Sequence, residues 1–234
     1  LKNYLSFGGG VNSVALYLYL LDQKVEFEAV FVDHGTDWPE TYEYVDMFKK
    51  KYPLTILQPK VTGYDNLYDY CLHYSIVPSF MFRWCTDKFK IRPIYKYVRT
   101  PCFMMLGFDV GEAKRAKISV NKGVENRFPL IEAEINRAGC KEIIKSHGLP
   151  VPIKSGCFIC PYQRVGQWKE LRIKHPDLFC KACQLEKATM EYRKSKGKAP
   201  MTLSPRKVKL QTLVEENQIQ LFKEDEYPPC ECGL

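Results

Sequence analysis

The sequence predicts an α/β fold: a mostly parallel, twisted sheet with helices on both faces, followed by a helical, cysteine-rich C-terminal cap. Three observations predict it. Short apolar runs alternate with helix-length segments through about residue 107, the pattern of repeated βα units. A triple glycine, Gly8-Gly9-Gly10, separates the first short run from the first long one. From residue 139 onward cysteines gather among helical segments, as Cys157-x-x-Cys160, Cys180-x-x-Cys183 and Cys230-x-Cys232. The expected division is an α/β domain over residues 1–138 and a cysteine-rich cap and tail over 139–234.

Tyr4-Leu5 ends the first strand, and Val14 to Leu21 is apolar enough for a buried helix. Between them, Ser6 to Ser13 places glycines against a helix start. Glycine lets the backbone approach an anion closely, and the first helical turn offers free N–H groups and positive dipole. Ser6, Asn12 and Ser13 add side-chain donors. No Gly-Lys-Ser/Thr follows and the dinucleotide glycine spacing is absent, so the stretch reads either as a phosphate loop of another kind or as a glycine-rich βα turn with no ligand. Glu28 to Asp33 reads as the second strand, and Trp38 to Lys51 as a helix opened by Pro39-Glu40. Leu54 to Leu57 is the third strand, Tyr64 to Tyr74 an aromatic helix, and Thr86 to Val98 a basic helix complicated by Pro93. Cys102 to Gly107 is the fourth strand. Residues 108–127 read as a mobile basic loop, and Phe128 to Glu132 as a short extended piece. Gly139 to His147 is a helix closed by Gly148, Gln167 to Lys194 is helical with a break at Pro176, and Pro205 to Asn217 is a basic helix. Ligands of such sheets sit beyond the carboxyl ends of the strands. The glycine loop, Asp33-His34-Gly35-Thr36 and Gly107-Phe108-Asp109 all fall there and are expected to converge on one crevice.

The formal charge of +8 suits a polyanionic partner, nucleotide or nucleic acid, as well as simple solubility. No apolar run approaches the roughly 20 residues that span a bilayer, and the start carries no leader pattern, so no membrane association and a cytoplasmic location are expected. Ten cysteines in a reducing compartment favour metal binding or sulfur chemistry over disulfides. Cys71 and Cys102, on apolar stretches, read as buried small residues, and Trp168 as core.

Four stretches together resemble one superfamily. Ser6 to Ser13 resembles the pyrophosphate-binding PP-loop of the adenine nucleotide alpha-hydrolase-like fold. Phe31-Val32-Asp33-His34-Gly35-Thr36-Asp37-Trp38-Pro39-Glu40-Thr41 is similar to the segment after the second strand of phosphoadenosine phosphosulfate (PAPS) reductases. Arg83-Trp84-Cys85-Thr86-Asp87-Lys88-Phe89-Lys90-Ile91-Arg92-Pro93 resembles their arginine–cysteine segment, and Lys154 to Tyr162 the cluster-binding segment of iron–sulfur PP-loop sulfurtransferases and related phage and prokaryotic proteins. The resemblance covers roughly residues 3–175 and implies a nucleotide site built from Ser6, Gly8, Gly9, Gly10, Asn12, Ser13, Asp33 and Gly107, with Arg83, Lys88 and Arg92 neutralising phosphate or sulfate. The nucleotide would be ATP, or PAPS or adenosine phosphosulfate, with Mg2+. Asp33 and Asp109 could each hold a ribose hydroxyl or Mg2+, or simply form a turn. Glu112 and Arg115 lie where the family shapes its substrate pocket.

The chain departs from the pattern in two places. Asn12 stands where the usual loop has aspartate; binding is expected to survive, because asparagine still offers a donor and an acceptor. Cys85-Thr86 stands where cluster-bearing reductases have two adjacent cysteines. Two metal-binding groupings of the cysteines stay open beside structural thiols with no metal. One is Zn2+ on Cys157, Cys160, Cys180 and Cys183. The other sets a [4Fe–4S] cluster on Cys85, Cys140, Cys157 and Cys160, with Cys180, Cys183, Cys230 and Cys232 pinning the tail to the cap through Zn2+ or a second cluster.

Three functions follow as expectations. The first is an ATP-dependent sulfurtransferase that adenylates an RNA, DNA or nucleotide acceptor and receives sulfur through a cluster or a cysteine persulfide, with Cys85 and Asp33 at the chemistry. The second is a sulfonucleotide reductase in which Cys232 of Glu231-Cys232-Gly233-Leu234 attacks sulfate sulfur and a thioredoxin-like protein resolves the product. The third is a nucleotide-binding module without catalysis, which Asn12 would mark. A protein sulfur donor and a homo-oligomer are compatible with each.

Overall fold

The structure is a computed structural model that describes residues 1–119, 121–153, 155–204 and 208–215. Five parallel strands form one sheet in the order β3-β2-β1-β4-β5: β1 (Lys2–Phe7), β2 (Glu28–Val32), β3 (Thr55–Leu57), β4 (Cys102–Leu106) and β5 (Val124–Arg127). The order reverses between β1 and β4, so the crevice outside their carboxyl ends is the place where such a sheet receives a ligand. Leu5 pairs with Ala29 on one side and Met105 on the other, which brings the segments after β1 and β4 side by side.

Alternation along the strands sorts side chains to two cores. Leu5, Phe7, Ala29, Phe31 and Met105 face one layer with α1 (Val11–Asp22), α2 (Pro39–Lys49) and α7 (Arg137–Ser146). Tyr4, Val30, Val32, Met104 and Leu106 face the other with α5 (Arg92–Tyr97). α1 is buried nearly all round because it lies between the sheet and α7; Val14, Ala15, Leu16 and Leu18 are completely covered. Each such leucine contributes on the order of 1.5–3 kcal/mol by burial, which fixes the helix start that the glycine loop feeds.

A third core joins α3 (Leu67–His73) to α8 (Val165–Lys174), α9 (Pro176–Ser195) and α10 (Leu210–Glu215) around Trp168, Leu171, Phe179 and Leu185. Glu186 is buried here and accepts from the Leu203 and Leu210 N–H groups at 3.0 and 2.9 Å, tying the chain after α9 back onto that helix. α7 belongs to the sheet's core, not to this one, so a boundary at residue 138 cuts through that helix. No described helix is long and apolar enough to cross a membrane.

Several expectations are corrected. The loop expected over 108–127 contains a turn of 3-10 helix, Val110–Arg115, and the edge strand β5. Val124-Glu125-Asn126-Arg127 has a single apolar residue, so only pairing with β4 reveals it as a strand. The piece expected to be extended at 128–132 is one helical turn, α6 (Pro129–Glu132), because Pro129 takes the first helical position, where its missing N–H costs nothing. The basic helix is α4 (Trp84–Thr86), a π-helical turn over Asp87–Ile91, then α5; the wide turn lies just before Pro93. The 205–217 helix is seen as α10 alone among the described residues.

Candidate active site

A cleft of about 960 Å3 opens above the ends of β1 and β4, large enough for a nucleotide with part of a second reactant. Ser6, Gly8, Gly10, Asn12, Ser13 and Gly107 form its floor. The loop is braced from within: the Ser13 hydroxyl accepts from Gly8 N at 3.2 Å and donates to the Gly10 carbonyl at 3.0 Å. Gly9 has φ +69° and turns its α-carbon toward Thr41 and Val45 on α2, so it shapes the loop without lining the cleft. At Gly107 a Cβ would stand 3.0 Å from backbone atoms of Asn12 and Ser13. Only glycine lets the end of β4 approach the first turn of α1 that closely. That turn has N–H groups without intrahelical acceptors, facing the cleft as an anion site requires.

Asn12 does not keep a free donor and acceptor, which corrects the sequence expectation. Its Nδ2 donates to Asp109 Oδ2 at 3.0 Å and Glu112 Oε2 at 2.7 Å, and its Oδ1 accepts from Arg137 Nη1 at 2.6 Å. Arg115 pairs with Glu112 in turn. Two carboxylates and one guanidinium group thus meet on one buried amide between the glycine loop, the turn after β4 and the start of α7, with Arg115 behind Glu112. An aspartate there would face two other carboxylates.

A second, small cavity of about 30 Å3 lies beside the cleft. Cys85, Cys157, Cys160, His34, Arg83 and Lys90 are among the residues around it. Lys90 also lines the cleft above the glycine loop, so the two spaces share a wall. The loop bearing Cys157 and Cys160 is stitched to the segment after β2: Trp38 N donates to the Gly156 carbonyl at 3.0 Å, and Phe158 N to the Thr36 carbonyl at 2.8 Å. Burial pushes the Cys157 thiol well above its ordinary value. The thiol donates to Thr36 Oγ1 at 3.0 Å, and the hydroxyl lies 2.7 Å from His34 Nδ1. With the thiol donating, the hydroxyl donates onward to Nδ1 and the His34 proton sits on Nε2, 3.4 Å from Asp37 Oδ2. Asp37 lines the cleft, so a buried polar line runs from the thiol cavity to the nucleotide side. Thr36 is completely buried, and Thr36→Val removes one partner from both Cys157 and His34. A loss of about 1–3 kcal/mol is expected, read as a lower urea midpoint with an unchanged slope.

Other predicted residues fall elsewhere. Asp33 forms its own turn, its Oδ1 accepting from Gly35 N and Tyr42 Oη, both at 2.9 Å. Lys88 donates to Tyr70 Oη at 2.7 Å and lies over the Tyr70 and Trp84 rings. Arg92 pairs with Asp87 at 2.7 Å on the surface. Arg83 faces the thiol cavity.

The cysteines divide in the same way. Cys140 is buried under α1, near Asp109 and Arg137, in a different core from Cys85, Cys157 and Cys160, and burial pushes its thiol up to about 12. Cys71 is nearer, its thiol raised by burial and then by Cys85. Cys180 and Cys183 lie one turn apart on α9, and Cys230 and Cys232 lie outside the described residues. The eight described cysteines are free thiols. Among the described residues, no three or more His, Cys, Asp or Glu side chains are arranged to hold a metal ion. Cys140 lies too far into the other core to join Cys85, Cys157 and Cys160 around their cavity, and the grouping that uses Cys230 and Cys232 falls outside the described residues.

Sequence reasoning missed Arg137, Arg164 and Ser155, all in the cleft wall. Asn136, whose side chain accepts from Ala138 N and Gly139 N, was the available signal that a helix starts beside Arg137.

A parallel sheet with a glycine loop at its switch point, over a helix start and beside a large polar cleft, defines a PP-loop type of nucleotide-binding protein. The sequence profile of the phosphoadenosine phosphosulfate reductase domain matches residues 2–120, just over half of the chain, and the chain belongs to that family. Two uncharacterized proteins of Methanocaldococcus jannaschii are similar to it. MJ0973 is 31% identical over 101 residues, covering 42% of this chain and 24% of its own length. MJ0066 is 24% identical over 194 residues, covering 75% and 39%. The chain therefore spans about a quarter and two-fifths of the lengths of these relatives. Among solved structures, phosphoadenylyl-sulfate (PAPS) reductase from Candida auris, in a phosphate complex, aligns at a TM-score of 0.49 and 17% identity over 65% of this chain and 75% of its own.

Proposed function

We propose that this chain is an adenine-nucleotide-dependent sulfurtransferase. The observation that carries the reading is the shared wall: Lys90 borders both the cleft above the glycine loop and the cavity of Cys85, Cys157 and Cys160. ATP, with its Mg2+, would lie with phosphates on the glycine loop and the start of α1. An acceptor oxygen would attack the α-phosphorus and pyrophosphate would leave. Sulfur from the thiol side would then displace AMP from the activated carbon. Hydrosulfide does this directly, releasing a proton. A persulfide on one cavity cysteine does it in two steps: its outer sulfur displaces AMP, and a second thiol cleaves the S–S bond. That leaves a protein disulfide for an external thiol to reduce. Lys90 would neutralise charge between the two spaces, and no step is routed through a metal. Activity with ATP, sulfide and candidate RNAs or DNA tests the reading. AMP and thiolated acceptor should form in equal amounts, and no AMP release with any acceptor would refute it.

The family membership favours a second reading, a sulfonucleotide reductase with Cys232 as nucleophile. The same preparations given PAPS or adenosine phosphosulfate with a thiol reductant separate the two. Sulfite release that is lost in Cys232→Ser supports the reductase, and release that survives the substitution removes Cys232 from the chemistry.

A further inference from the structure

Beside the thiol cavity, the loop leading into α4 turns two large apolar side chains outward. Met81 is 83% exposed and Phe82 73%. Their neighbours are fixed. The Ser79 hydroxyl accepts from Met81 N at 3.2 Å. The Phe80 carbonyl accepts from Tyr162 Oη at 3.0 Å, and the Phe80 and Tyr162 rings stand 4.2 Å apart between centroids. Tyr162 directly follows Cys160-Pro161, so the loop is fastened to the segment that carries two of the three cavity cysteines. Arg83, next in the chain, has φ +41° and turns into the cavity wall. A left-handed, non-glycine residue at that point sets the direction in which Phe82 leaves the surface. An exposed ring on a fastened loop, next to an arginine that lines the thiol cavity, is a contact surface in the making.

We propose that Phe82, with Met81 beside it, is a stacking platform for an unpaired base of a single-stranded nucleic acid. This assignment rests on the sulfurtransferase reading and names its acceptor class. Charge selects the occupant. The chain carries a net +8, and Arg83, next to Phe82 in the chain, lines the thiol cavity together with Lys90, which suits a phosphate backbone rather than a neutral or basic surface. A ring accepts any base on its face, and a guanidinium beside it adds to the attraction. Held there, a nucleotide would be delivered to the space between the thiols and the nucleotide cleft.

Fluorescence anisotropy with end-labelled single-stranded RNA and DNA 12-mers, and the matching duplexes, tests the platform on the full chain. Phe82→Ala should weaken single-strand binding by about five- to a hundredfold, the range for losing one base–aromatic stack. Phe82→Trp should keep it, and ATP binding should be the same in all three proteins. The RNA and DNA arms show which strand is preferred. Unchanged single-strand affinity in Phe82→Ala, or no binding of either strand by the wild type, overturns the platform. The same wild-type protein still releasing AMP would show that the sulfurtransferase reading survives this failure. Phe82-dependent binding without AMP release would show the reverse.

Discussion

Asn12→Asp is expected to lower the folding stability by about 1–3 kcal/mol and to weaken nucleotide binding at least about tenfold. The change removes donors that now hold Asp109 at 3.0 Å and Glu112 at 2.7 Å, and puts a third carboxylate against them. The Arg137 contact, at 2.6 Å, gains charge but cannot offset two like-charge contacts on the other side of the same group. Glu112→Gln in the Asn12→Asp background relieves one of those contacts and supplies a donor. Thermal unfolding and ATP titration of the two singles and the double should therefore show partial rescue, a coupling that independent sites would not give. This outcome would end the view of Asn12 as a degraded catalytic residue. In that view aspartate should improve the site; here asparagine is the residue that two neighbouring acids require.

Cys85→Ser is expected to cut sulfur transfer by at least about a hundredfold and to leave ATP affinity within about twofold. Cys85 is the least buried of the three cavity thiols, comes two residues after Arg83, and lines the cavity that shares Lys90 with the cleft above the glycine loop. Cys140→Ser serves as the control. That thiol sits in the α1 core, so its loss should appear in stability before it appears in transfer. Parallel single-turnover assays and melting curves separate the two patterns. Equal loss of transfer in both variants, at equal stability, would contradict the division of the cysteines into separate sites.

The nucleotide half of the molecule was largely legible. Gly8-Gly9-Gly10 between an apolar strand and an apolar helix marks a tight βα turn at the switch point, and the alternation through residue 107 predicts the parallel sheet that the structure shows. What escaped depended on which faces meet. Arg137 is a surface-type residue in sequence and reaches Asn12 only because α7 packs across α1. Cys140 shares a sequence class with Cys157 and Cys160, but its position on α7 turns it into the core of the sheet and α1, apart from theirs. Lys88 and Lys90 are two residues apart in a basic run; the π-helical turn sends one into an aromatic cluster and the other to the cleft. β5 has too little hydrophobic pattern to stand as a strand without β4 beside it.

If the nucleotide cleft and the thiol cavity work as one site, bound ATP must change the rate at which N-ethylmaleimide alkylates Cys85. Peptide mass spectrometry would follow Cys85 and the exposed Cys180 of α9 in one reaction, with and without saturating ATP and Mg2+. ATP should slow labelling of Cys85 severalfold and leave Cys180 unchanged. Equal rates at Cys85 with and without ATP, at a concentration where binding is independently saturated, would contradict a joined site.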